Sequence, residues 1–157
     1  MAKYPLSAEE IARFAHLGRE GSTLTVLRHA RIAERMGLSA TDHKALELIG
    51  QAQGPLTAGR IAELTGLSTG AVTGVMDRLE KAGLARRVRD TVDRRKVLIE
   101  VVPGAMDRHA PLFESAYTSM KNLLEQFSPD ERKVLERFQS ALLDDLRDEL
   151  LGNSSRP

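Results

Sequence analysis

The sequence predicts a mainly α-helical fold carrying a small β wing, and three observations predict it. Apolar residues recur at three- and four-residue steps through most of the 157 positions. A glycine, Gly66, separates two short amphipathic segments as a corner would. Two alternating, β-branched segments, Leu84–Arg89 and Lys96–Val102, flank a polar stretch too hydrophilic to be buried. With aromatic residues at 4% and no tryptophan, the core is expected to be aliphatic. A chain of this length can bury about two-thirds of its unfolded surface, so one compact domain is expected.

The elements follow in order. Ser7-Ala8-Glu9-Glu10 is a capping box that opens a helix running to about Met36, with Leu17, Leu24, Leu27, Ile32 and Met36 on an uneven apolar face. Gly18 and Gly21 weaken that helix, which predicts a bend or a close contact there. Ser39-x-x-Asp42 starts a second helix through Gln51, stopped by Gln53-Gly54-Pro55. Thr57 caps a third, with Ile61, Ala62 and Leu64 inward and Gly66 supplying its left-handed end. Ser68 caps a fourth, in which Val72, Val75, Met76 and Leu79 form the buried side and Gly83 ends the run. The two strands of the wing come next, with Val97, Ile99 and Val101 expected on one covered face. Pro103-Gly104 turns the chain into a helix to about Gln126, striped by Phe113, Tyr117, Met120, Leu124 and Phe127. Pro111 either kinks that helix or marks its true start. Ser128-Pro129-Asp130-Glu131 is a second capping box with proline at the first helical position. It opens a last helix bearing Leu135, Phe138, Leu142, Leu146 and Leu150.

The segment from Ala58 to Leu79 has the residue types that a helix-turn-helix needs. Ala62, at the fifth place, lets two helices cross closely. Gly66, at the ninth, makes the corner, and Val72 and Val75 bury the second helix against the first. A simple helical hairpin has the same outline, but the wing that follows favours a winged helix-turn-helix. Such a lobe lays its second helix in the major groove of double-stranded DNA. The outward face would present Ser68, Thr69, Gly70, Thr73, Gly74 and Arg78. Thr69 and Thr73 suit thymine methyl groups, and Arg78 suits either a guanine edge or a phosphate. Gly70 and Gly74 permit close backbone approach, or are merely tolerated at exposed positions. Asp77 is expected to pair with a neighbouring basic residue of the protein and not to accept from a cytosine. Arg94 and Arg95 at the wing tip fit a narrow minor groove, with Arg87 nearby on the strand. Asp93 is expected to fix the Arg95 guanidinium by a charge-assisted hydrogen bond.

These residues resemble the MarR family of bacterial transcriptional regulators. The resemblance spans Leu38 to Gly104: LTAGRIAELTGLSTGAVTGVMDRLEKAGLARR carries the helix-turn-helix, Asp93 and Arg95 match the D-x-R wing motif, and VVPGA follows. It implies a homodimeric repressor on a pseudo-palindromic operator, often released by a small molecule. It also implies a winged helix-turn-helix lobe over residues 38–102 and dimerisation helices over 1–37 and 103–151; residues 152–157 read as a flexible tail. The terminal helices agree, since they carry more apolar surface than one small lobe can cover. By the same resemblance a ligand cleft would involve His16, Met36, His43, Phe113 and Tyr117, a mixture suited to an aromatic or phenolic effector. Each of these five also has an ordinary reading as core or surface. A winged-helix module for protein interaction is the alternative to a DNA-binding regulator.

Other classes find little support. Between Pro55 and Val102 there are nine basic residues and six acids, an excess of +3 in a chain of formal net charge +1, so cationic character gathers in the lobe. Without cysteine there is no disulfide and no thiol sensor. The four histidines (His16, His29, His43, His109) lack metal-ligand spacing, and the glycines of TGLSTGAVTG lack the lysine of a phosphate loop. No enzyme, cofactor or metal is expected. No stretch is apolar enough for a signal peptide or a membrane span, and a cytoplasmic location is expected.

Overall fold

The structure, a computed structural model, describes residues Tyr4–Leu151. The expected tail, 152–157, lies outside the described residues. Among those residues the chain forms α1 (Ala8–Arg35), α2 (Ala40–Gln51), β1 (Leu56–Thr57), α3 (Ala58–Thr65), α4 (Thr69–Lys81), β2 (Ala85–Arg89), β3 (Val97–Val101), α5 (Ala110–Leu124) and α6 (Pro129–Leu151). The described residues fall into two compact units, divided after Ala105.

The first unit holds the core. Ile32 and Ala33 at the end of α1 are buried with Ala45, Leu46 and Ile49 of α2, Ile61 of α3, Val72, Val75, Met76 and Leu79 of α4, and Leu84, Ala85 and Ile99 of the sheet region. Burial of one such aliphatic side chain stabilises by about 1.5–3 kcal/mol, so these positions hold the helices to one another. Helix α2 lies at the centre, in contact with α1, α3, α4 and β3.

The helix ends are set by the residues that the sequence marks. Ser7 and Glu10 form a reciprocal capping box, and Ser39, Thr57 and Ser68 each accept a backbone N–H from the first turn of the helix they open. Gly66 ends α3 with φ 72°, the left-handed conformation that an L side chain avoids. At Gly83 (φ 69°) the bonds Gly83 N–H to Glu80 C=O and Leu84 N–H to Leu79 C=O make a Schellman end to α4. Leu84, the residue after the turn, drops into the core.

The sheet has three strands, in the order β1-β3-β2, all antiparallel. The strand β1 is unanticipated. Its two residues, Leu56 and Thr57, lie between Pro55 and the α3 cap, where no alternating pattern can develop; they pair with Ile99 and Leu98. The covered face of β3 is also shorter than expected. Ile99 is buried and Val101 approaches Gly50 of α2, but Val97, paired with Arg89 at the loop end of the wing, is 51% exposed.

Helix α1 continues without interruption through Gly18 and Gly21, and among the described residues no atom beyond the local helix backbone lies within 4 Å of a Cβ built on either. The expected close contact is absent among the described residues. In the second unit a short 3-10 turn, Asp107–His109, precedes α5, and Pro111 sits in its first turn, so the proline marks the beginning rather than a kink. The Ser128–Glu131 box opens α6 as the spacing predicts. Leu135, Phe138, Leu142, Leu146 and Leu150 of α6 are all exposed, as are Phe14, Leu17, Leu24 and Leu27 of α1.

Candidate nucleic-acid interface

Helix α4 turns Val72, Val75, Met76 and Leu79 inward and leaves Thr69, Gly70, Ala71, Thr73, Asp77, Arg78 and Lys81 exposed. Ser68 uses its oxygen to accept the Ala71 N–H at 3.2 Å, and its hydroxyl proton stays available for an acceptor. Thr73 donates to the Thr69 carbonyl at 3.1 Å, so its methyl is the group best placed for outward contact. Gly70 is open, with no described atom beyond the local helix backbone within 4 Å of a built Cβ, whereas a Cβ built on Gly74 lies 3.4 Å from Arg78 Nη1.

Arg78 is more committed than its sequence context implied. Its Nε and Nη2 donate to the Asp42 carboxylate of α2 at 2.9 and 2.7 Å. Asp42 is only 3% exposed, and the Arg78 hydrogen bonds hold its carboxyl below the usual carboxylate range against the opposing effect of burial. The pair spans thirty-six positions of sequence, and Asp42 read there as a helix-start residue only.

The wing is organised by two aspartates. The Asp90 carboxylate accepts the backbone N–H groups of Val92 (2.7 Å) and Asp93 (3.2 Å), which lowers its pKa. Asp93 accepts the backbone N–H of Arg95 at 3.1 Å, not its guanidinium. An acid two residues before another residue is at the natural distance for that backbone bond, an Asx turn. Asp93 therefore shapes the loop, and the Arg94 and Arg95 side chains are exposed with no partner among the described residues. Arg87 differs from them. Its Nη2 donates to Asp77 at 2.8 Å, its Nη1 to Glu80, and its backbone N–H to Glu80 at 2.9 Å. Asp77 thus has the protein partner expected of it, and Arg87 is occupied in joining β2 to α4.

The model of the MarR family matches residues 30–97. The uncharacterized HTH-type transcriptional regulator YcgE of Bacillus subtilis is 37% identical over 145 residues, 92% of this chain and 94% of that one. The chain belongs to the MarR family. Among solved structures it resembles a MarR family protein from Bacillus stearothermophilus with a TM-score of 0.71 and 25% identity, over 90% of this chain and 99% of that one. Streptococcus pneumoniae FabT, solved in complex with DNA, shares the fold with a TM-score of 0.65 at 19% identity, over 90% and 99% of the two chains. As a MarR family member the protein is a DNA-binding transcriptional regulator, and α3, α4 and the β2–β3 hairpin have the winged helix-turn-helix fold of that family.

Of the residues expected to line a ligand cleft, His16, Met36 and His43 belong to the first unit and Phe113 and Tyr117 to the second. His43 is 3% exposed and Met36 half-buried, while His16 is exposed on α1, near Glu20. Phe113 and Tyr117 belong to α5 in the second unit, half-buried and exposed respectively. A cavity of about 210 Å³ lies beside His43, lined by Val26, His29, Ala30, Ala40, Lys44 and Glu47. The His29 and His43 rings stand 5.9 Å apart, and both approach the Glu47 carboxylate, at 3.8 and 4.0 Å. Burial depresses the His43 pKa, opposed by Glu47. Sequence spacing missed His29 and Glu47 because they sit on different helices. Among the described residues, no group of three or more His, Cys, Asp or Glu side chains could hold a metal ion, and no helix is long and apolar enough to cross a membrane.

Proposed function

We propose that this MarR family regulator acts in the cytoplasm as a homodimeric repressor on a pseudo-palindromic operator. The carrying observation is the exposed outward face of α4 together with Arg94 and Arg95, two wing cations with no partner in the described chain. In this reading Ser68, Thr69, Gly70, Thr73 and Gly74 approach the major groove, and Arg94 and Arg95 enter the flanking minor groove. Residues 38–102 form the DNA-binding lobe, and helices from 1–37 and 103–151 pair two copies. The exposed apolar residues of α1 and α6 support that pairing, since such stripes are costly to leave in water. Two recognition helices about one DNA turn apart then read two half-sites.

The reading includes release by a small aromatic or phenolic effector. The cavity beside His43 supports it, with apolar walls from Val26, Ala30 and Ala40 and polar groups from His29, Lys44 and Glu47. An electrophoretic shift with the protein's own upstream region, repeated across salt concentrations, tests the DNA claim. Tight binding that weakens steeply with salt is expected, and binding indifferent to sequence would overturn it. Screening aromatic acids and phenols for thermal stabilisation tests the effector.

A further inference from the structure

One cation of the recognition helix is held in place by a residue that lies outside the helix-turn-helix. A guanidinium has two edges that can take a pair of acceptors: the side edge, from Nε and one Nη, and the end edge, from the two Nη atoms. In Arg78 the side edge is consumed. Nε lies 3.2 and 2.9 Å from the two Asp42 oxygens, and Nη2 lies 2.7 Å from Oδ1. Asp42 sits in the first turn of α2, where its backbone N–H is bonded to the Ser39 side chain at 3.1 Å, and it is 3% exposed. The anchor is therefore fixed on both its backbone and its carboxylate. The Arg78 side chain nonetheless remains 57% exposed, and its Nη1 has no partner among the described residues.

Gly74 completes the arrangement. Helical side chains lean toward the N-terminus, so Arg78 reaches back over the residue one turn earlier. A Cβ at position 74 would begin 3.4 Å from Nη1, and a longer side chain there would cover the end edge. Glycine leaves it open, on the same exposed surface as Thr69, Gly70 and Thr73.

The geometry points to Asp42 as a positioning residue for DNA binding: it holds Arg78 so that the end edge of the guanidinium, displayed over Gly74, receives two acceptor atoms of the duplex. The inference rests on the proposed docking of α4. An arginine already held on one edge loses little freedom when DNA arrives, and lysine, with a single ammonium, cannot replace it. Because Asp42 neutralises the pair, the contact contributes direction more than long-range attraction. The acceptors are either two phosphate oxygens or the O6 and N7 of a guanine, which present the same chemistry.

The test uses the full chain, a duplex enriched by the wild-type protein from a randomised pool, and a scrambled duplex of the same composition. Binding is measured at about 0.3 M salt, where bare Coulomb gains are strongly screened. Arg78→Lys is expected to weaken the enriched duplex by about tenfold, and Asp42→Asn by about fivefold, with no further loss when the two are combined. A purely structural Asp42 would instead lower melting temperature and affinity together in the Arg78→Lys background. If Asp42→Asn does not fold, Asp42→Glu, which keeps the charges but moves the guanidinium by one methylene, takes its place. An Arg78→Lys loss shared by both duplexes assigns the acceptors to phosphate; a loss confined to one G·C position of the enriched duplex assigns them to guanine. Arg78→Lys binding within about twofold of wild type, or losses that multiply in the double variant, would overturn the inference alone. Failure of the wild-type chain to enrich any duplex would overturn the regulator reading with it.

Discussion

Aspartate does three different jobs in the winged helix-turn-helix, decided by what lies within reach of each carboxylate. Asp42 is buried against an arginine, Asp90 and Asp93 tie down the wing backbone, and Asp77 faces Arg87 on the surface. Removing Arg78 would strand the Asp42 carboxylate. Arg78→Ala is therefore expected to lower the midpoint of denaturant melts, by an amount kept modest because the arginine side of the pair is open to water. The pH dependence has a definite sign. The folded-state pKa of Asp42 is depressed, so its contribution is complete above the ordinary carboxylate value of 3.8 and is lost as pH falls through the lower folded value. Asp42→Asn should remove that acid-side loss from stability profiles. For Arg95→Ala the stability is expected to stay within about 0.5 kcal/mol, while the salt slope of DNA binding falls by about one per subunit. The wing-tip cations were readable from sequence because they are local. The Asp42–Arg78 pair was not, since nothing in either neighbourhood signals a partner thirty-six positions away.

At the level of elements, caps and corners carry most of the information that the sequence displayed. Ser7, Ser39, Thr57, Ser68 and Ser128 open helices where short-range hydrogen bonding dictates, and Gly66 and Gly83 end them in the left-handed region. Gly66→Ala should cost about 1–2 kcal/mol, because the side chain meets backbone strain and not a clash. Ser68→Ala should cost about 1 kcal/mol through the lost cap. Either is checked by chemical denaturation, and a neutral Gly66→Ala would contradict the corner as described. Strand β1 escaped detection for the converse reason: two residues have no periodicity, and only pairing with β3 makes them a strand. The junction of α1 with α2 carries its own pH signature. Burial lowers the His43 pKa from 6.5, so the unfolded chain takes up protons first and stability falls as pH drops through that value. His43→Gln should flatten thermal melts between about pH 7 and 5; an undiminished slope would assign the effect to another group.

For the whole molecule, the amphipathic stripes of the terminal helices were plain in the sequence, but what covers them was not, because periodicity does not distinguish an intramolecular partner from a second copy. The exposure of Leu142 (47%) and Leu146 (42%) on α6 makes these positions a direct probe of the proposed pairing. Leu142→Glu with Leu146→Glu is expected to shift sedimentation from dimer to monomer and to reduce operator affinity by about a hundredfold or more, as two linked half-sites become independent. The lobe should keep its own cooperative unfolding. A dimer that survives both charges would place the interface elsewhere. The grip of Arg87 on Asp77 and Glu80 bears on how any signal could reach the operator. One strand is moored at two points to the reading helix, so a tilt of that cylinder carries the finger with it. In the proposed repressor, release would then shift both grooves' contacts in a single motion, and cutting the mooring with Arg87→Ala should let an operator-bound finger be protected from protease while the proposed effector loosens the helix alone.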